Sequence, residues 1–201
     1  LHDALPISLV VFAAASLSSC SSTKGSGGAR YSTTFDPPAT KPTNPSAVRV
    51  KISTGAQRLY VTEGGKVLLA TPCSVGMPGH STPPGNHTIY SKEARRRSHS
   101  YGEYPMPFWC EFAPAYGIHV GFVKPYPCTH GCVRLPKMAA AKVFAMVNTS
   151  TPVNVSSSQA EDATIGKTLP VLNDSSLADP PDSYMNSNKV FEDAAKGKMY
   201  Y

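Results

Sequence analysis

The sequence is poor in charge and rich in the residues that break helices. Charged residues make up 16% of its 201 residues, against about a quarter in an average globular protein. The chain carries 19 Pro and 15 Gly and shows no internal repeat, which argues against a long-helix bundle or a coiled coil. Its length leaves room for one ordinary domain with tails, but not for two full domains.

The charge that is present is mostly positive. Lys and Arg number 19 against 13 Asp and Glu, giving a net charge of +6 and a pI of about 9.1. The basic residues are not interleaved with aromatic ones, as they are in grooves that bind nucleic acid strands. We therefore expect no nucleic-acid partner, and the charge fits an anionic cell envelope.

The N-terminal apolar run at 7–17 is too short to span a bilayer and has the length of a signal-peptide core. It ends in Leu17-Ser18-Ser19-Cys20, which resembles the lipobox of a bacterial lipoprotein. The resemblance implies cleavage before Cys20, acylation of its thiol, and an exported, periplasm-facing protein held by a lipid anchor. The run follows neither an initiator Met nor a basic segment, and residues 1–7 resemble translated adapter sequence. An ordinary signal peptide with an incidental Cys is the alternative interpretation of residues 1–20.

Three further segments are expected. Residues 21–46 are rich in Ser, Thr, Gly and Pro and predict a flexible linker. Residues 47–156 are mainly β, with one helix at 136–147. Residues 157–201 are polar and interrupted by Pro, which predicts a largely irregular C-terminal tail with a short helix at 189–196. The expected strands lie at 48–52, 59–62, 66–70, 87–90, 107–112, 116–120 and 152–155, while the arginines at 95–97 predict a solvated loop.

One cluster of residues has the composition that acyl transfer by a thiol requires. His119 and His130 precede Cys132, and an imidazole can accept the proton of a thiol nucleophile. Gly131 allows close backbone approach beside that thiol, where N–H groups could hold an oxyanion. Arg134 offers a planar fork suited to a carboxylate.

The sequence THGCVRL at 129–135 resembles the (S/T)HGC(I/V)R(L/M) signature of the L,D-transpeptidase catalytic domain, the YkuD-like family. Other elements resemble the family in the same order: LYV followed by a Gly-Gly turn at 59–65, SVG at 74–76, TPPG at 82–85, PFW at 107–109, GIH at 117–119 and TPV at 151–153. The resemblance covers residues 47–156. It implies a mainly β, sandwich-like or barrel-like domain with one helix after the catalytic Cys.

In function, the resemblance implies a peptidoglycan L,D-transpeptidase that needs no metal or organic cofactor. The thiol would attack a tetrapeptide stem after its third residue, release D-alanine, and pass the acyl group to an amine. In this resemblance Cys132 would be the nucleophile and His119 the base. His130 and Gly131 would shape the loop and the oxyanion hole. Arg134 and Thr129 would contact the substrate. The acceptor stays open between a stem peptide, a lipoprotein amine, a free D-amino acid and water, the last giving L,D-carboxypeptidase activity. We expect a monomer.

Two departures from the family pattern concern the base and its distance from the nucleophile. Val120 follows His119 where Gly or Ser is common, but a backbone carbonyl there can still orient the imidazole. The interval from His119 to Cys132 is a few residues shorter than in common members, which bears on the rim of the site and on the choice of acceptor.

The remaining cysteines are Cys73, Cys110 and Cys128, and an exported chain can form disulfides. Spacing does not select a pairing; Cys110–Cys128 is weakly favoured, and Cys128–Cys132 is an inhibitory alternative. Trp109 is expected in the core, and His80 is either an ordinary turn residue or part of the cleft.

Other functions remain as alternatives. All six His precede Cys132, which excludes the Cys-then-His order of papain-like and NlpC/P60 enzymes. Sortases run His, Cys, Arg, but Arg134 lies too close to Cys132 for a separate strand. A zinc-stabilised module could use Cys128, Cys132 and the two nearby His, and an inactive wall-binding lipoprotein could have the same fold.

Overall fold

The computed structural model describes residues 31–100 and 102–199; Cys20 and the predicted lipobox lie outside these residues. Within them the chain is mainly β, with nine strands in two sheets. The strands are β1 (Val48–Ser53), β2 (Arg58–Glu63), β3 (Lys66–Pro72), β4 (Gly85–Thr88), β5 (Ser91–Arg97), β6 (Pro105–Ala113), β7 (Tyr116–Val120), β8 (Val133–Leu135) and β9 (Pro152–Ser156). The α-helices are α1 (Lys137–Met146), α2 (Asp182–Met185) and α3 (Lys189–Ala195), and 3₁₀ helices occupy Ser32–Thr34, Pro45–Ala47, Ala160–Ala163 and Ile165–Thr168.

The first sheet has the strand order β3-β2-β1-β9-β4. Its strands pair antiparallel, except that β9 runs parallel to β1. The β2–β3 hairpin turns at Gly64 and Gly65, whose φ angles are 53° and 86°. Two positive φ angles in a two-residue loop are the type I′ geometry, which glycine adopts without steric cost. The predicted hairpin is confirmed.

The second sheet has the order β5-β6-β7-β8, antiparallel except for the parallel pair β7 and β8. Apolar residues from both sheets and from α1 meet in one core, including Val50, Leu59, Ile118, Val133 and Val143. Removing this apolar surface from water is what holds the two sheets together. The mainly β fold class with one helix directly after the Cys132 segment is therefore confirmed.

Helix α1 begins after Pro136 and ends at Met146, close to the predicted bounds. Its last carbonyl groups lack partners within the helix, as in every α-helix. The Lys92 ammonium on β5 is a hydrogen-bond donor to this end of the helix. It donates to the carbonyl oxygens of Phe144 (2.8 Å) and Val147 (2.6 Å). Lys92 of the second sheet thus fixes the C-terminal end of the helix that follows the Cys132 segment.

The predicted linker is wrong where it can be compared with the structure. Within the described part, the Ser32 backbone N–H and hydroxyl donate to the buried Asp174 carboxylate, which also accepts from the backbone N–H of Val123. Ala39 forms a β-bridge with Leu69 on the edge strand β3. Residues 31–46 therefore pack on the domain, although their composition is that of a flexible segment.

The C-terminal segment also belongs to the folded body. It consists of short helices joined by irregular chain, and α3 is close to the helix predicted at 189–196. Val190, Phe191 and Met199 are buried in the shared core. Farther along the first sheet, the Asp162 carboxylate accepts hydrogen bonds from the buried Tyr60 hydroxyl and from Ser53, each at 2.7 Å. The polar residues between these anchors predicted only a largely irregular tail, without these attachments to the domain.

The segment predicted as a solvated arginine loop is the edge strand β5, paired antiparallel with β6. Its polar residues do not alternate with apolar ones, so period-two patterning could not show the strand. The short strand β8 was also not predicted. Over the described residues, no helix has the length and apolar character needed to cross a membrane.

Candidate active site

Strands β7 and β8 bring three predicted residues to one place. Their parallel register pairs His119 with Arg134, so both side chains leave the same face of the sheet. Cys132 directly precedes β8. All three line a cavity of about 190 Å³, which we call the histidine cavity. Strand pairing thus joins the candidate nucleophile, base and cation.

His119 is held as a neutral imidazole. It is 3% exposed, and its Nδ1 lies 2.7 Å from the Val120 carbonyl oxygen. A carbonyl only accepts, so Nδ1 carries the proton and Nε2 is left as the acceptor. Burial, followed by the nearby Arg134 cation, lowers the pKa of His119 to about 3, although the Val120 hydrogen bond acts in the opposite direction. The Val120 carbonyl therefore orients the imidazole of His119, as expected for a backbone carbonyl at this position.

Cys132 is a half-buried thiol. Burial raises its pKa above the ordinary value, and the Gly117 backbone hydrogen bond and the Arg134 cation only partly oppose this effect. Its Sγ lies 3.9 Å from the Ala115 carbonyl oxygen, which can accept the thiol proton in a weak hydrogen bond. The resting pair is a neutral thiol and a neutral imidazole, so the proton must move as the sulfur attacks.

The loop at 128–132, which we call the catalytic loop, is shaped by Gly131, whose φ is 109°. A Cβ at this position would lie 2.2 Å from the Tyr116 ring, so only glycine fits. The Gly131 N–H donates to the Thr129 hydroxyl (3.0 Å), which itself donates to the Cys132 carbonyl (2.6 Å). Two expectations are corrected here. The Gly131 amide is used inside the loop and is not directed at an oxyanion, and the Thr129 hydroxyl proton is not available to a substrate.

The amide of Cys132 is free to donate, since its N–H has no acceptor among the described residues. His130 is exposed at the edge of the cavity, where its ring meets that of His80 edge to face at 4.7 Å. His80 thus contacts the catalytic loop. The burial of His119 beside Arg134, against the exposure of His130, favours His119 as the base.

The segments at 74–76 and 82–85 hold the catalytic loop in place. Ser74 exchanges backbone hydrogen bonds with Arg134 (3.0 and 2.9 Å), and Gly76 forms a bridge with Thr129. The Gly76 N–H also donates to the Thr82 hydroxyl at 3.0 Å. These contacts explain in physical terms why the segments at 74–76 and 82–85 occur in the same chain as the THGCVRL sequence: they support its loop.

The Arg134 guanidinium has no anionic partner in the part of the chain that the structure describes. Its side chain packs over Gly121, where a Cβ would lie 2.7 Å from it. Its Nε is buried and unpaired, and no carboxylate of the described residues forms an ion pair with it. A buried donor without a partner is costly, and a bound carboxylate would remove that cost.

The sequence model of the L,D-transpeptidase catalytic domain (YkuD) matches residues 47–155. The chain belongs to this family. It is similar in structure to an L,D-transpeptidase from Stackebrandtia nassauensis, with 27% identity and a TM-score of 0.53, covering 61% of this chain and 60% of that one. It also shares its fold with an L,D-transpeptidase from Xylanimonas cellulosilytica, with 23% identity and a TM-score of 0.52, covering 58% of this chain and 63% of that one.

The chain therefore matches less than two thirds of the length of these two structures. No curated protein sequence matches it.

The YkuD domain has a second cavity, which Cys132 also lines. This cavity, about 340 Å³, is lined by Arg96, Trp109 and Tyr116 among others, and we call it the tryptophan cavity. Trp109 is 2% exposed, as expected of a core residue. Its ring also lies 5.8 Å from that of His119, so it forms part of the wall of the site as well.

Sequence reasoning missed the turn that faces the nucleophile. Ala115 has a φ of 65° in the two-residue turn between β6 and β7, and its N–H donates to the Glu111 carboxylate at 3.0 Å. The same carboxylate accepts from the Trp109 indole N–H at 3.3 Å. Glu111 thereby fixes the carbonyl that contacts Cys132. Only the turn itself, between two predicted strands, was visible in the sequence.

The four described cysteines of this YkuD domain are free thiols, so the favoured Cys110–Cys128 disulfide and the Cys128–Cys132 alternative are both absent. Cys73 and Cys110 are buried in the apolar core, and burial raises the pKa of Cys110 to about 12. A thiol held protonated in the core is a poor nucleophile, whereas Cys132 is only half-buried and lines the same cavity as His119.

Cys128, Cys132 and the two nearby histidines, which the zinc alternative requires as ligands, are not assembled. Within residues 31–100 and 102–199, no three His, Cys, Asp or Glu side chains are grouped as metal ligands would be. The zinc alternative therefore gains no support from the structure.

Proposed function

We propose that this chain is a peptidoglycan L,D-transpeptidase with Cys132 as its nucleophile. The acyl donor is a tetrapeptide stem, cleaved after its third residue with release of D-alanine, and the acceptor is an amine. The observation that carries the proposal is the meeting of a thiol, a buried neutral imidazole and an unpaired guanidinium in one cavity of a YkuD domain.

In the first step, the Cys132 Sγ–H proton passes to Nε2 of His119 while the sulfur bonds to the carbonyl carbon of the third residue. The oxygen of that carbonyl becomes an oxyanion, and the Cys132 backbone N–H donates to it. The carbon–nitrogen bond then breaks, and His119 returns the proton to the departing amine of D-alanine. The product is a thioester, and the imidazole is neutral again.

In the second step, the acceptor amine attacks the thioester carbon and gives a proton to His119. The carbon–sulfur bond breaks, the proton returns to the sulfur, and a new amide is released. Water as the acceptor would give the free tripeptide acid, which is the L,D-carboxypeptidase side reaction. The Arg134 guanidinium binds a substrate carboxylate in the histidine cavity, where its buried Nε has no partner among the described residues.

The setting of this reaction is part of the proposal. The lipobox-like sequence ending at Cys20 and the net charge of +6 support a lipid-anchored, exported protein that faces the periplasm. The proposal also takes the protein to act as a monomer. The mass of the N-terminal peptide from protein expressed with its own leader tests the anchor, because diacylglyceryl and acyl groups on Cys20 add a defined mass.

The nucleophile is tested by covalent labelling and by turnover. Wild-type protein should gain the mass of a carbapenem, the trap that the family resemblance implies. It should also convert a purified tetrapeptide muropeptide to cross-linked product, or to tripeptide when no amine is added. Cys132→Ala should lose both activities, because no other described thiol lies in the cavity. Mass spectrometry of intact protein and of muropeptides gives both measurements.

Cys128→Ala is the matched control, since Cys128 is a second free thiol in the same loop; it should leave labelling and turnover intact. Labelling that survives in Cys132→Ala would overturn the assignment of the nucleophile. A wild-type protein that binds muropeptides without converting them would instead support the inactive wall-binding module. Stoichiometric metal in protein purified without tags would support the metal-binding module.

A further inference from the structure

The two cavities of the domain meet at Cys132, and each contains one arginine with an unpaired buried atom. Cys132 lines both cavities. Arg134 lies in the histidine cavity and Arg96 in the tryptophan cavity, and the Nε of each is buried without a hydrogen-bond partner. The role given to Arg134 leaves Arg96 unexplained.

One edge of the Arg96 guanidinium has no hydrogen-bond partner among the described residues. Its Nη1 donates to the Glu93 carboxylate at 2.7 Å, and its central carbon lies 5.9 Å from the centre of the Trp109 ring. Among the described residues nothing accepts a hydrogen bond from Nε or Nη2. That edge presents two parallel N–H groups, the geometry that matches the two oxygens of a carboxylate.

The lining of the tryptophan cavity favours an anion. The residues around it include Arg96, His99 and His130 but no Asp or Glu. The Arg96 side chain is 26% exposed, so its charge is only partly screened by water. An anionic group entering this cavity would meet the Arg96 guanidinium, whose charge Glu93 partly offsets from outside the lining, and no acidic side chain in the wall.

The chemistry of the reaction determines which part of the donor enters which cavity. His119 must return a proton to the departing amine, so the leaving D-alanine lies on the side of the histidine cavity, with Arg134 near its carboxylate. The acyl part of the donor, on the other side of the scissile carbonyl from D-alanine, then enters the adjoining cavity that Cys132 also lines. The larger volume of the tryptophan cavity, about 340 Å³ against about 190 Å³, suits the longer acyl part.

We propose that Arg96 is a specificity residue that binds a free carboxylate on the acyl part of the donor peptide. The enzyme would then select donors that carry this acid over donors in which it is amidated. The inference rests on the proposed function and deepens it by defining the chemical class of the donor.

The test compares two tetrapeptide donors that differ only in one acyl-side group, a carboxylate or its carboxamide. We expect wild-type protein to prefer the acid in kcat/KM for thioester formation by about 10- to 100-fold, the size of a charged hydrogen-bonded pair. Arg96→Gln should lower kcat/KM for the acid donor to the value for the amide donor and leave the amide donor within about twofold. Arg96→Lys should restore only part of the preference, because it keeps the charge but not the fork.

Arg95→Gln is the matched control. Arg95 is on the same strand but exposed, 4.0 Å from Glu192 and outside both cavities, so its loss should leave both donors unaffected. An equal loss on both donors in Arg96→Gln, or an unchanged preference for the acid, would overturn the inference. Carbapenem labelling of each variant distinguishes a failure of the role given to Arg96 from a failure of the proposed function. If wild-type protein is labelled and uses both donors equally, only the role of Arg96 fails; if it uses neither donor, the proposed function itself fails.

Discussion

The neutral state of His119 is the single-residue feature that most constrains the chemistry. Burial and the Arg134 cation lower its pKa to about 3, while burial raises the pKa of Cys132. Both groups are therefore uncharged over the whole physiological range. A base that is already neutral needs no further deprotonation as the pH rises through 6.5.

We expect the rate of Cys132 acylation by a donor peptide to stay level between about pH 5 and about pH 8, since His119 remains the competent base throughout. An imidazole with the ordinary pKa of 6.5 would instead lose activity below that pH. Single-turnover acylation followed by intact-protein mass gives the profile. A midpoint between about pH 6 and pH 7 would show that the site holds an imidazolium at rest.

His119→Ala is the companion variant for this profile. Acylation should slow by about 10²- to 10⁴-fold, the usual contribution of a positioned base, at every pH in the range. A rate within about twofold of wild type would assign the base role to another group, with His130 the first candidate.

Single residues also show where sequence reasoning about the site stops. The THGCVRL sequence, together with GIH at 117–119, identified the thiol, the guanidinium and the imidazole that meet in the histidine cavity. It could not show that the Gly131 amide is already bonded to Thr129. That bond depends on the φ of Gly131 and on the Tyr116 ring beside it, and Tyr116 arrives from another strand.

At the scale of elements, the end of α1 is stabilised from a neighbouring sheet. The Lys92 ammonium donates to two carbonyls at the C-terminal end of the helix and lies 4.3 Å from the centre of the Phe144 ring. A cation at this end of a helix complements both the unpaired carbonyls and the helix dipole. Strand β5 therefore has a structural function in addition to lining the site.

Lys92→Met should lower the free energy of unfolding by about 1 to 3 kcal/mol, because two carbonyls lose a charged donor while the apolar stem is kept. Urea unfolding followed by circular dichroism measures the change. Lys66→Met, at the exposed start of β3, should change it by less than about 0.5 kcal/mol. Equal effects of the two substitutions would show that Lys92 acts only through its general charge.

Strand β5 illustrates why some elements could not be predicted. The hairpin of β2 and β3 could be predicted because its apolar residues and its Gly-Gly turn lie within a few positions of each other in the sequence. Arg97 on β5 instead donates to the carbonyls of Met185 and Ser187, and its guanidinium lies 5.0 Å from the Phe191 ring centre. The partners that stabilise this strand are far away in sequence and leave no local periodic pattern.

For the whole molecule, the folded body is larger than the segment matched by the family. The domain match covers residues 47–155, but Asp174 binds Ser32 on one side and Val123 on the other. One buried carboxylate thereby joins the segment before the domain, the segment after it and the chain leading into the catalytic loop. Composition described both outer segments correctly as polar, but it could not reveal this single long-range attachment.

The burial of His119 also links the stability of the molecule to pH. The folded protein keeps His119 unprotonated down to a pKa of about 3, whereas in an unfolded chain it titrates near the ordinary 6.5. Below 6.5 the unfolded state therefore binds a proton that the folded state does not, and stability falls as the pH is lowered toward 3. Between pH 6.5 and pH 5 this one group should remove about 1.5 kcal/mol from the free energy of unfolding.

His119→Gln removes the ionisable group and should flatten the pH dependence of stability over that interval, whatever its effect on stability at neutral pH. His99→Gln, which changes an exposed imidazole, should leave the wild-type slope in place. Urea unfolding at several pH values between about 5 and 7 measures the three slopes. If His119→Gln keeps the slope of the wild type, the imidazole is protonated as readily in the folded protein as in the unfolded one. The neutral-base chemistry proposed for the site would then be wrong as well, because both depend on the same buried, uncharged ring.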